Sequence, residues 1–150
     1  MNALPTRKTI RLQSYDYSQN GAYFITICTR NKRNLFWKSQ VPLELTEFGD
    51  IAKVAIQEIE EYYSGVHVDC FVVMPNHVHI LLTLNRKIKC TVSTIISQYK
   101  GIVTKRCGMK VWQGRFYDHV IRDENDYLKI GQYIENNPAK WQEVRYYVTP

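Results

Sequence analysis

The sequence predicts an α+β fold in which a four-stranded antiparallel sheet carries helices on one side, as in ferredoxin-like domains. Segments in which apolar and polar residues alternate, as in strands, are interleaved with segments whose apolar residues recur at helical spacing. The order of these segments is β-α-β-β-α-β-α. Because two strands follow each other directly, an antiparallel sheet is favoured over a doubly wound parallel one.

The four predicted strands cover residues 22–29, 66–74, 77–84 and 116–122, where apolar, aromatic and β-branched residues cluster. Pro75 and Asn76 turn the chain between the second and third strands, which predicts a hairpin. The third strand is apolar almost throughout, apart from its histidines. This composition is typical of a central, buried strand. Residues 31–42 are predicted to form a basic loop.

Three helices are predicted, over residues 47–63, 92–107 and about 123–137. The first two have an apolar stripe at helical spacing, made of Phe48, Ile51, Ala52, Ala55, Ile56, Ile59 and Tyr62, and of Ile95, Ile96, Tyr99, Ile102 and Val103. In the third, Asp123 is the expected N-cap, with Asp126 as its capping-box partner. Pro138 should end this helix near Asn137.

The length and composition indicate one soluble domain. The chain has 150 residues, of which 45% are apolar and 23% charged, and its net charge of +6 permits contact with phosphates without requiring it. We therefore expect a single domain over 1–150, with 1–21 as a basic N-terminal arm. We find no secretory leader and no apolar stretch of about 18 residues, so we expect a cytoplasmic protein that does not bind membranes. The four cysteines form no CxxC pair, which makes a zinc knuckle unlikely.

Two histidines, His77 and His79, lie in the third strand within the pentad Pro75-Asn76-His77-Val78-His79. Residues two apart on a strand point to the same face, so the two imidazoles should lie side by side, with Val78 on the other face. Buried imidazoles need hydrogen-bond partners or a metal ion. From the residues alone, the pair is either two ordinary polar side chains or part of a metal site.

Two rival chemistries based on histidine are poorly supported. A histidine-triad hydrolase would continue the alternation to a third histidine, where this chain has Leu81. Two-histidine phosphoesterases use His-x-Thr or His-x-Ser motifs, which do not occur. The remaining histidines, His67 and His119, form no HExxH motif, so a hydrolytic zinc site is also poorly supported.

The last helix offers two further polar groups on one face. Tyr133 and Asn137 are four residues apart, beside a core stripe that contains Tyr127. An amide oxygen together with two imidazoles suits Mg²⁺ or Mn²⁺. The residues alone favour the simpler alternative, in which Tyr133 is a boundary aromatic and Asn137 a helix C-cap.

Together these segments resemble the REP-associated tyrosine transposases, a group of single-tyrosine HUH transposases. The pentad is similar to the His-hydrophobic-His motif of that family, and the other similar blocks follow in the same order between about residues 7 and 141. These blocks are Tyr15-Asp16-Tyr17, Gly21-Ala22-Tyr23-Phe24-Ile25-Thr26, Trp112-Gln113, residues 116–122, Tyr133-Ile134 and Asn137-Pro138. The antiparallel sheet of the family agrees with the fold predicted above.

The resemblance implies an enzyme that cuts single-stranded DNA hairpins at palindromic repeats and transfers the strand. It implies that Tyr133 is the nucleophile and forms a covalent 5′-phosphotyrosine intermediate. It also implies that His77, His79 and Asn137 bind Mg²⁺ or Mn²⁺. The cell would be bacterial or archaeal, with the protein on the nucleoid when it is bound to DNA. Relatives include monomers and dimers that exchange the tyrosine helix, so the resemblance leaves the oligomeric state open.

The expected DNA-binding residues are basic side chains outside this site, namely Arg7, Lys8, Arg11, Lys100 and Arg115. Because the chain ends at Pro150, soon after the last helix, we expect DNA binding to rely on the N-terminal segment and the loops. Trp37 or Tyr117 could stack unpaired bases. A phenol with a pKa of about 10 needs help to attack at neutral pH, and Lys100 and His119 are candidates for this help.

Two other functions remain open from the sequence. One is a ferredoxin-like module that binds nucleic acid without cutting it, although such a module would not need both Tyr133 and Asn137. The other is an HUH nickase of the replication or conjugation type. Those enzymes commonly carry two tyrosines in the helix or a tyrosine motif before the histidines, whereas Tyr133 follows them here.

Overall fold

The computed structural model describes residues 21–85 and 90–138, and every structural statement below concerns these residues. Arg7, Lys8 and Arg11 lie outside them, as does the block at residues 15–17. The strands are β1 (Gly21–Cys28), β2 (Trp37–Ser39), β3 (Glu44–Leu45), β4 (Val66–Val73), β5 (His77–Leu84) and β6 (Tyr117–Val120). The helices are α1 (Glu47–Gln57), α2 (Ile59–Tyr62), α3 (Val92–Cys107) and α4 (Glu124–Asn136), and a 3-10 turn covers Arg30–Lys32.

The main sheet has four strands in the order β4-β5-β1-β6, and all neighbouring strands are antiparallel. This is the ferredoxin-like order, so the predicted fold class is confirmed. The predicted hairpin is β4-β5, closed by a hydrogen bond of 2.8 Å from the Met74 N–H to the His77 carbonyl. Strands β2 and β3 form a separate small sheet in the connection between β1 and α1, within and just after the segment predicted as a loop.

The two faces of the main sheet carry different helices. One face presents Ile25, Val78 and Ile80 to the large core, which also contains residues of α1 and α3. The other face presents Ala22 and Leu81 to a smaller core that is completed by α4. We call these the α1–α3 face and the α4 face. Thr26, directly opposite His79 in the register, lies on the α4 face with it.

The prediction that all helices lie on one side of the sheet is wrong for α4. The cause is the composition of β5, in which all eight residues are buried. A strand that is apolar on both sides has to be covered on both sides, because uncovered apolar surface would remain in water. Helix α4 therefore crosses to the second face, and this position decides where its tyrosine and asparagine lie.

Other boundaries differ from the prediction in small ways. The helix predicted over 47–63 is divided at Glu58, whose ψ of −12° departs from the helical value. The apolar stripe therefore does not continue to Tyr62, which is 50% exposed. All four cysteines are partly buried free thiols.

The N-cap and the C-terminal end of α4 are as predicted, but the Asp126 carboxylate accepts from the Arg122 N–H at 3.3 Å and does not complete a capping box with Asp123. The Asp123 carboxylate caps the helix by accepting from the Asp126 N–H at 2.8 Å. The helix ends at Asn136, just before Asn137 and Pro138. Within the described residues, no helix combines the length and the apolar character that crossing a membrane requires.

Candidate active site

His77 and His79 lie side by side on the α4 face of β5, as their spacing predicts. Their ring centroids are 4.7 Å apart at an interplanar angle of 71°. His77 is 1% exposed and His79 is 0% exposed, while Val78 packs into the core on the opposite face. The central strand therefore presents two adjacent, buried imidazoles on a rigid support, as a pair of metal ligands requires.

Asn76 sets the tautomer of His77. The Asn76 Nδ2 donates to the Lys32 carbonyl at 3.2 Å, so its Oδ1 is directed towards His77, where it lies 2.8 Å from Nδ1. Because an amide oxygen can only accept, Nδ1 of His77 must carry the proton, and Nε2 then has the lone pair. Histidines that bind metals are commonly oriented by such a bond to the second nitrogen. The sequence analysis assigned Asn76 only to the turn and missed this role.

His79 is held by residues of β1. The Thr26 hydroxyl lies 2.9 Å from Nδ1 of His79. The Phe24 ring packs against the imidazole at a centroid distance of 4.9 Å. Because Thr26 engages Nδ1, Nε2 is again the nitrogen suited to coordinate an ion.

Both imidazoles are neutral at neutral pH. Burial lowers the pKa of His79 to about 3, and a backbone hydrogen bond with Ile25 opposes this only in part. Burial also holds the pKa of His77 well below its ordinary value, and the nearby His79 and Lys32 lower it further. Neutral imidazole is the form that binds metal ions, so the protonation states suit a metal site.

Helix α4 brings Tyr133 to this pair. The Tyr133 ring lies 5.5 Å from the His79 ring and makes an edge contact with Phe24 at 6.1 Å, measured between centroids. Tyr133 also packs against the buried Met74 next to the hairpin turn. Its side chain is partly exposed. The structure thus brings together three of the predicted site residues, His77, His79 and Tyr133.

Asn137 follows Tyr133 by one turn and keeps helical backbone angles, so the two residues share a side of the helix. The residue is 2% exposed, and neither Oδ1 nor Nδ2 has a hydrogen-bond partner within the described part of the chain. Leaving a buried polar group unsatisfied costs about 1–3 kcal/mol. A ligand at Asn137 would remove this cost, which fits the predicted role of its amide oxygen better than a role as C-cap alone.

A buried carboxylate ties α4 to the sheet. Asp69 on β4 is 4% exposed and accepts a hydrogen bond from the Thr83 hydroxyl of β5 at 2.7 Å. It also accepts one from the Tyr127 hydroxyl of α4. Tyr127 of the predicted core stripe is therefore a buried residue that anchors α4 to the sheet. The sequence analysis missed Asp69, although an acidic residue inside an apolar strand is a signal for a buried polar contact.

A family model described as "Transposase IS200 like" matches residues 17–137. The chain belongs to the IS200-like transposase family. A REP-associated tyrosine transposase of Escherichia coli K12 is 30% identical, over 83% of this chain and 70% of its own length. An uncharacterized protein of Haemophilus influenzae is 34% identical, over 95% of this chain and 93% of its own length.

A solved structure agrees with these sequence matches. The structure of a REP-associated tyrosine transposase bound to a REP hairpin has a TM-score of 0.65 and 29% identity, and it covers 85% of this chain and 72% of that chain. The resemblance to REP-associated tyrosine transposases predicted from the sequence is thereby confirmed. Membership of a transposase family supports an enzymatic DNA-cleaving role for the protein.

The two residues considered as helpers of Tyr133 lie on opposite faces of the sheet, since His119 is directly across from Phe24 of the α4 face in the register. Lys100 is on α3 and donates to the Gln113 carbonyl at 2.8 Å. Because α3 covers the α1–α3 face, the sheet separates Lys100 from Tyr133, and the suggested help to the phenol is wrong for Lys100. His119 on the edge strand β6 lies 2.9 Å from the Asp126 carboxylate, at the start of α4.

The predicted DNA-binding side chains differ in availability. Arg115 is exposed, and Tyr117 is 58% exposed, so both are accessible to a ligand. The Trp37 indole donates to the Val73 carbonyl at 2.7 Å and packs on Met74, so Trp37 belongs to the wall of the site. DNA binding by Lys100 and Arg115 stays a prediction, and Arg7, Lys8 and Arg11 lie outside the described residues.

We expect Tyr127→Phe to lower the free energy of unfolding by about 1–3 kcal/mol, because the buried Asp69 carboxylate loses one donor. Urea unfolding measures this loss. Tyr62→Phe, which removes the hydroxyl of a half-exposed tyrosine, is the matched control and should change stability by less than about 0.5 kcal/mol. Equal stability of the Tyr127→Phe and wild-type proteins would show that this hydrogen bond does not anchor α4.

We also expect metal-free protein to lose stability as the pH falls below the ordinary histidine pKa of 6.5. The unfolded chain then binds a proton at each imidazole, whereas folded His79, with a pKa of about 3, does not. Each such histidine should lower the free energy of unfolding by roughly 1–2 kcal/mol between about pH 6.5 and pH 5. Urea unfolding in a chelator at several pH values should show a shallower dependence for His79→Gln. His67→Gln, at an exposed position on β4, should keep the wild-type slope, and an unchanged slope for His79→Gln would contradict the expectation.

Proposed function

We propose that this transposase cleaves single-stranded DNA at hairpin sequences and transfers the strand through a covalent 5′-phosphotyrosine on Tyr133. The observation that carries the proposal is the position of the Tyr133 ring, 5.5 Å from the ring of the buried, neutral His79. A tyrosine with only a packing role has no need of two polar imidazoles beneath it. A hairpin as substrate is supported by the relative whose solved structure contains a REP hairpin.

The reaction at Tyr133 is a displacement at phosphorus. Its phenolic oxygen attacks the phosphorus, the new O–P bond forms, and the bond from phosphorus to the 3′ oxygen breaks. The phenolic proton passes to solvent, and the leaving 3′ oxygen takes up a proton to become a hydroxyl. Because the phosphotyrosine keeps a phosphodiester bond, the 3′-hydroxyl of another strand can attack it and rejoin the DNA without ATP.

A divalent ion, Mg²⁺ or Mn²⁺, would be held by Nε2 of His77 and His79 and by the amide oxygen of Asn137. When bound, it would neutralise the non-bridging oxygens of the phosphate and so stabilise the charge that develops during displacement. In the described part of the chain, no group of three or more His, Cys, Asp or Glu side chains can hold a metal ion. The proposed set therefore depends on Asn137, whose buried and unsatisfied amide fits this role.

The protein residues around the site position these groups. Asn76 and Thr26 contact Nδ1 of the two imidazoles, which supports Nε2 as the atom that would coordinate the ion in each ring. Asp69 fixes α4 against β4 and β5 through Tyr127, and this contact sets the distance between helix and strand. Such fixed geometry lowers the barrier because little reorganisation is needed when the phosphate arrives.

Tyr133→Phe should bind a single-stranded DNA hairpin and form no covalent adduct, since the substitution removes only the nucleophilic oxygen. The wild type should form an adduct in Mn²⁺ that survives denaturing electrophoresis. Tyr62→Phe, which changes a half-exposed tyrosine on α2, is the matched control and should keep at least half of the wild-type adduct. An adduct on Tyr133→Phe would mean that another residue is the nucleophile. If the wild type forms no adduct in any divalent ion, a non-catalytic binding module is favoured.

Calorimetric titration with Mn²⁺ in the absence of DNA tests the ligand set directly. His77→Ala should abolish measurable binding because a two-ligand site remains. Asn76→Ala should weaken binding about 10- to 100-fold, since the orienting bond to His77 is lost. The control His67→Ala, at an exposed histidine, should bind as the wild type does. Wild-type affinity in His77→Ala would place the metal elsewhere.

A further inference from the structure

The two strands of the small sheet belong to one hairpin, residues 37–45, which we call the β2–β3 hairpin. At its base, Trp37 and Leu45 pack against the large core. At its tip, Val41 is 88% exposed and Leu43 is 47% exposed. Because apolar side chains stabilise a fold only where they are removed from water, the tip adds little to either core. The contribution of the tip therefore has to come from other contacts.

The base of the β2–β3 hairpin is fixed to the turn between β4 and β5. The N–H of Phe36, directly before β2, donates to the Pro75 carbonyl at 3.0 Å. The Trp37 indole donates to the Val73 carbonyl at 2.7 Å, on the other side of the same turn from His77. Since Pro75 precedes His77 by two residues, the base of the hairpin is tied to the segment that begins the histidine strand.

The tip of the β2–β3 hairpin reaches the end of α4. Gln40 follows β2, and its Nε2 donates to the Pro138 carbonyl at 3.4 Å. Carbonyl groups at the C-terminal end of a helix have no partner inside the helix, so a donor from another segment can satisfy one of them. The Ser39 hydroxyl donates to the Pro42 carbonyl at 2.6 Å and closes the turn that presents Gln40. The contact thus lies directly after Asn137.

The buried hydrogen bond that ties α4 to the sheet lies far from this end of the helix. Tyr127, which bonds Asp69, is in the first turn of α4. A helix rises about 1.5 Å per residue, so Asn137 lies about 15 Å beyond Tyr127 along the axis. Ile134 packs in the smaller core near the C-terminal end, but apolar contacts are not directional. A hydrogen bond at Pro138 adds the directional contact that this end needs.

The β2–β3 hairpin therefore connects the two elements that carry the proposed metal ligands. Its base is bonded next to the histidine pair, and its tip is bonded next to Asn137. Trp37 of the hairpin and Tyr133 of α4 also pack on the same buried residue, Met74. Mg²⁺ requires near-ideal geometry with ligand distances of about 2.0–2.1 Å, so ligands on separate elements need supports that fix their separation.

We infer that the β2–β3 hairpin is a brace between the histidine strand and the end of α4, and that Gln40 is a positioning residue for Asn137. This inference rests on the proposed function for the role of Asn137 as a metal ligand. The brace acts through the backbone. Gln40 holds the Pro138 carbonyl, and the peptide bond between Asn137 and Pro138 then limits where the Asn137 amide can lie.

Amide hydrogen exchange in a chelator measures how firmly the end of α4 is held before any ion binds. Gln40→Met keeps the length of the side chain and removes its donor. Exchange at residues 134–137 should become about twofold to tenfold faster, the range that a hydrogen bond of ordinary net strength allows. Exchange at residues 127–130, beside the bond to Asp69, should stay at the wild-type rate.

Two further variants serve as the rescue and the control. Gln40→Lys keeps an N–H donor on an unbranched side chain, so exchange at residues 134–137 should return close to the wild-type rate. Gln57→Met makes the same change at an exposed glutamine that ends α1, on the other face of the sheet, and should have no effect.

Calorimetric titration with Mn²⁺ in the absence of DNA then connects the brace to the metal site. Gln40→Met should weaken Mn²⁺ binding by about twofold to tenfold, because the free protein no longer holds Asn137 in place. Gln40→Lys and Gln57→Met should bind Mn²⁺ as the wild type does. A contact that only stabilised the fold would lower the urea midpoint of Gln40→Met and leave its Mn²⁺ affinity unchanged.

The two measurements separate the brace from the proposed metal site. Equal exchange at residues 134–137 in Gln40→Met and the wild type would overturn the brace. Faster exchange together with wild-type Mn²⁺ affinity would overturn the positioning role of Gln40. If the wild type binds no Mn²⁺ while Gln40→Met exchanges faster, the brace of the helix end is supported and the proposed ligand set fails.

Discussion

The burial of β5 on both faces is the constraint on which the candidate site depends. Since all eight residues of this strand are buried, α1 and α3 cover one face and α4 has to cover the other. The second face is the one that carries His77 and His79. Covering it with α4 therefore brings Tyr133 over the imidazoles, so the packing that stabilises the sheet also assembles the site.

This arrangement places polar groups where burial is costly, and the structure compensates with a few specific contacts. Asn76 and Thr26 each engage a ring nitrogen of the histidine pair, and Asp69 receives hydroxyls from a strand and from α4. At the candidate site, both side-chain polar atoms of the buried Asn137 lack a hydrogen-bond partner within the described residues. A protein gains nothing in stability from such an amide, so its presence one turn after Tyr133 is better explained by a ligand.

Much of the fold followed from local pattern. The strands β1, β4 and β5, the helical stripe of α1 and the Asp123 cap were all predicted because each depends on neighbours in sequence. The position of α4 was not predicted, although the unbroken apolar run around Leu81 indicates that both faces of β5 have to be covered. The contacts of Asn76 and Asp69 were missed because each joins segments far apart in the chain, and no local pattern reports such a partner. The pairing of Tyr133 with the histidines came from the family resemblance, since spacing alone favoured a packing role.

Asn76 connects the turn after β1 to the candidate active site. Its side chain donates to the Lys32 carbonyl and accepts from the His77 ring, while its own carbonyl accepts from the Thr29 N–H. Because one amide makes both side-chain bonds, the bond to Lys32 fixes which end of the amide faces His77 and therefore which ring nitrogen carries the proton. The turn at Arg30–Lys32 is thus part of the support of the histidine pair, although more than 40 residues separate it from His77 in the sequence.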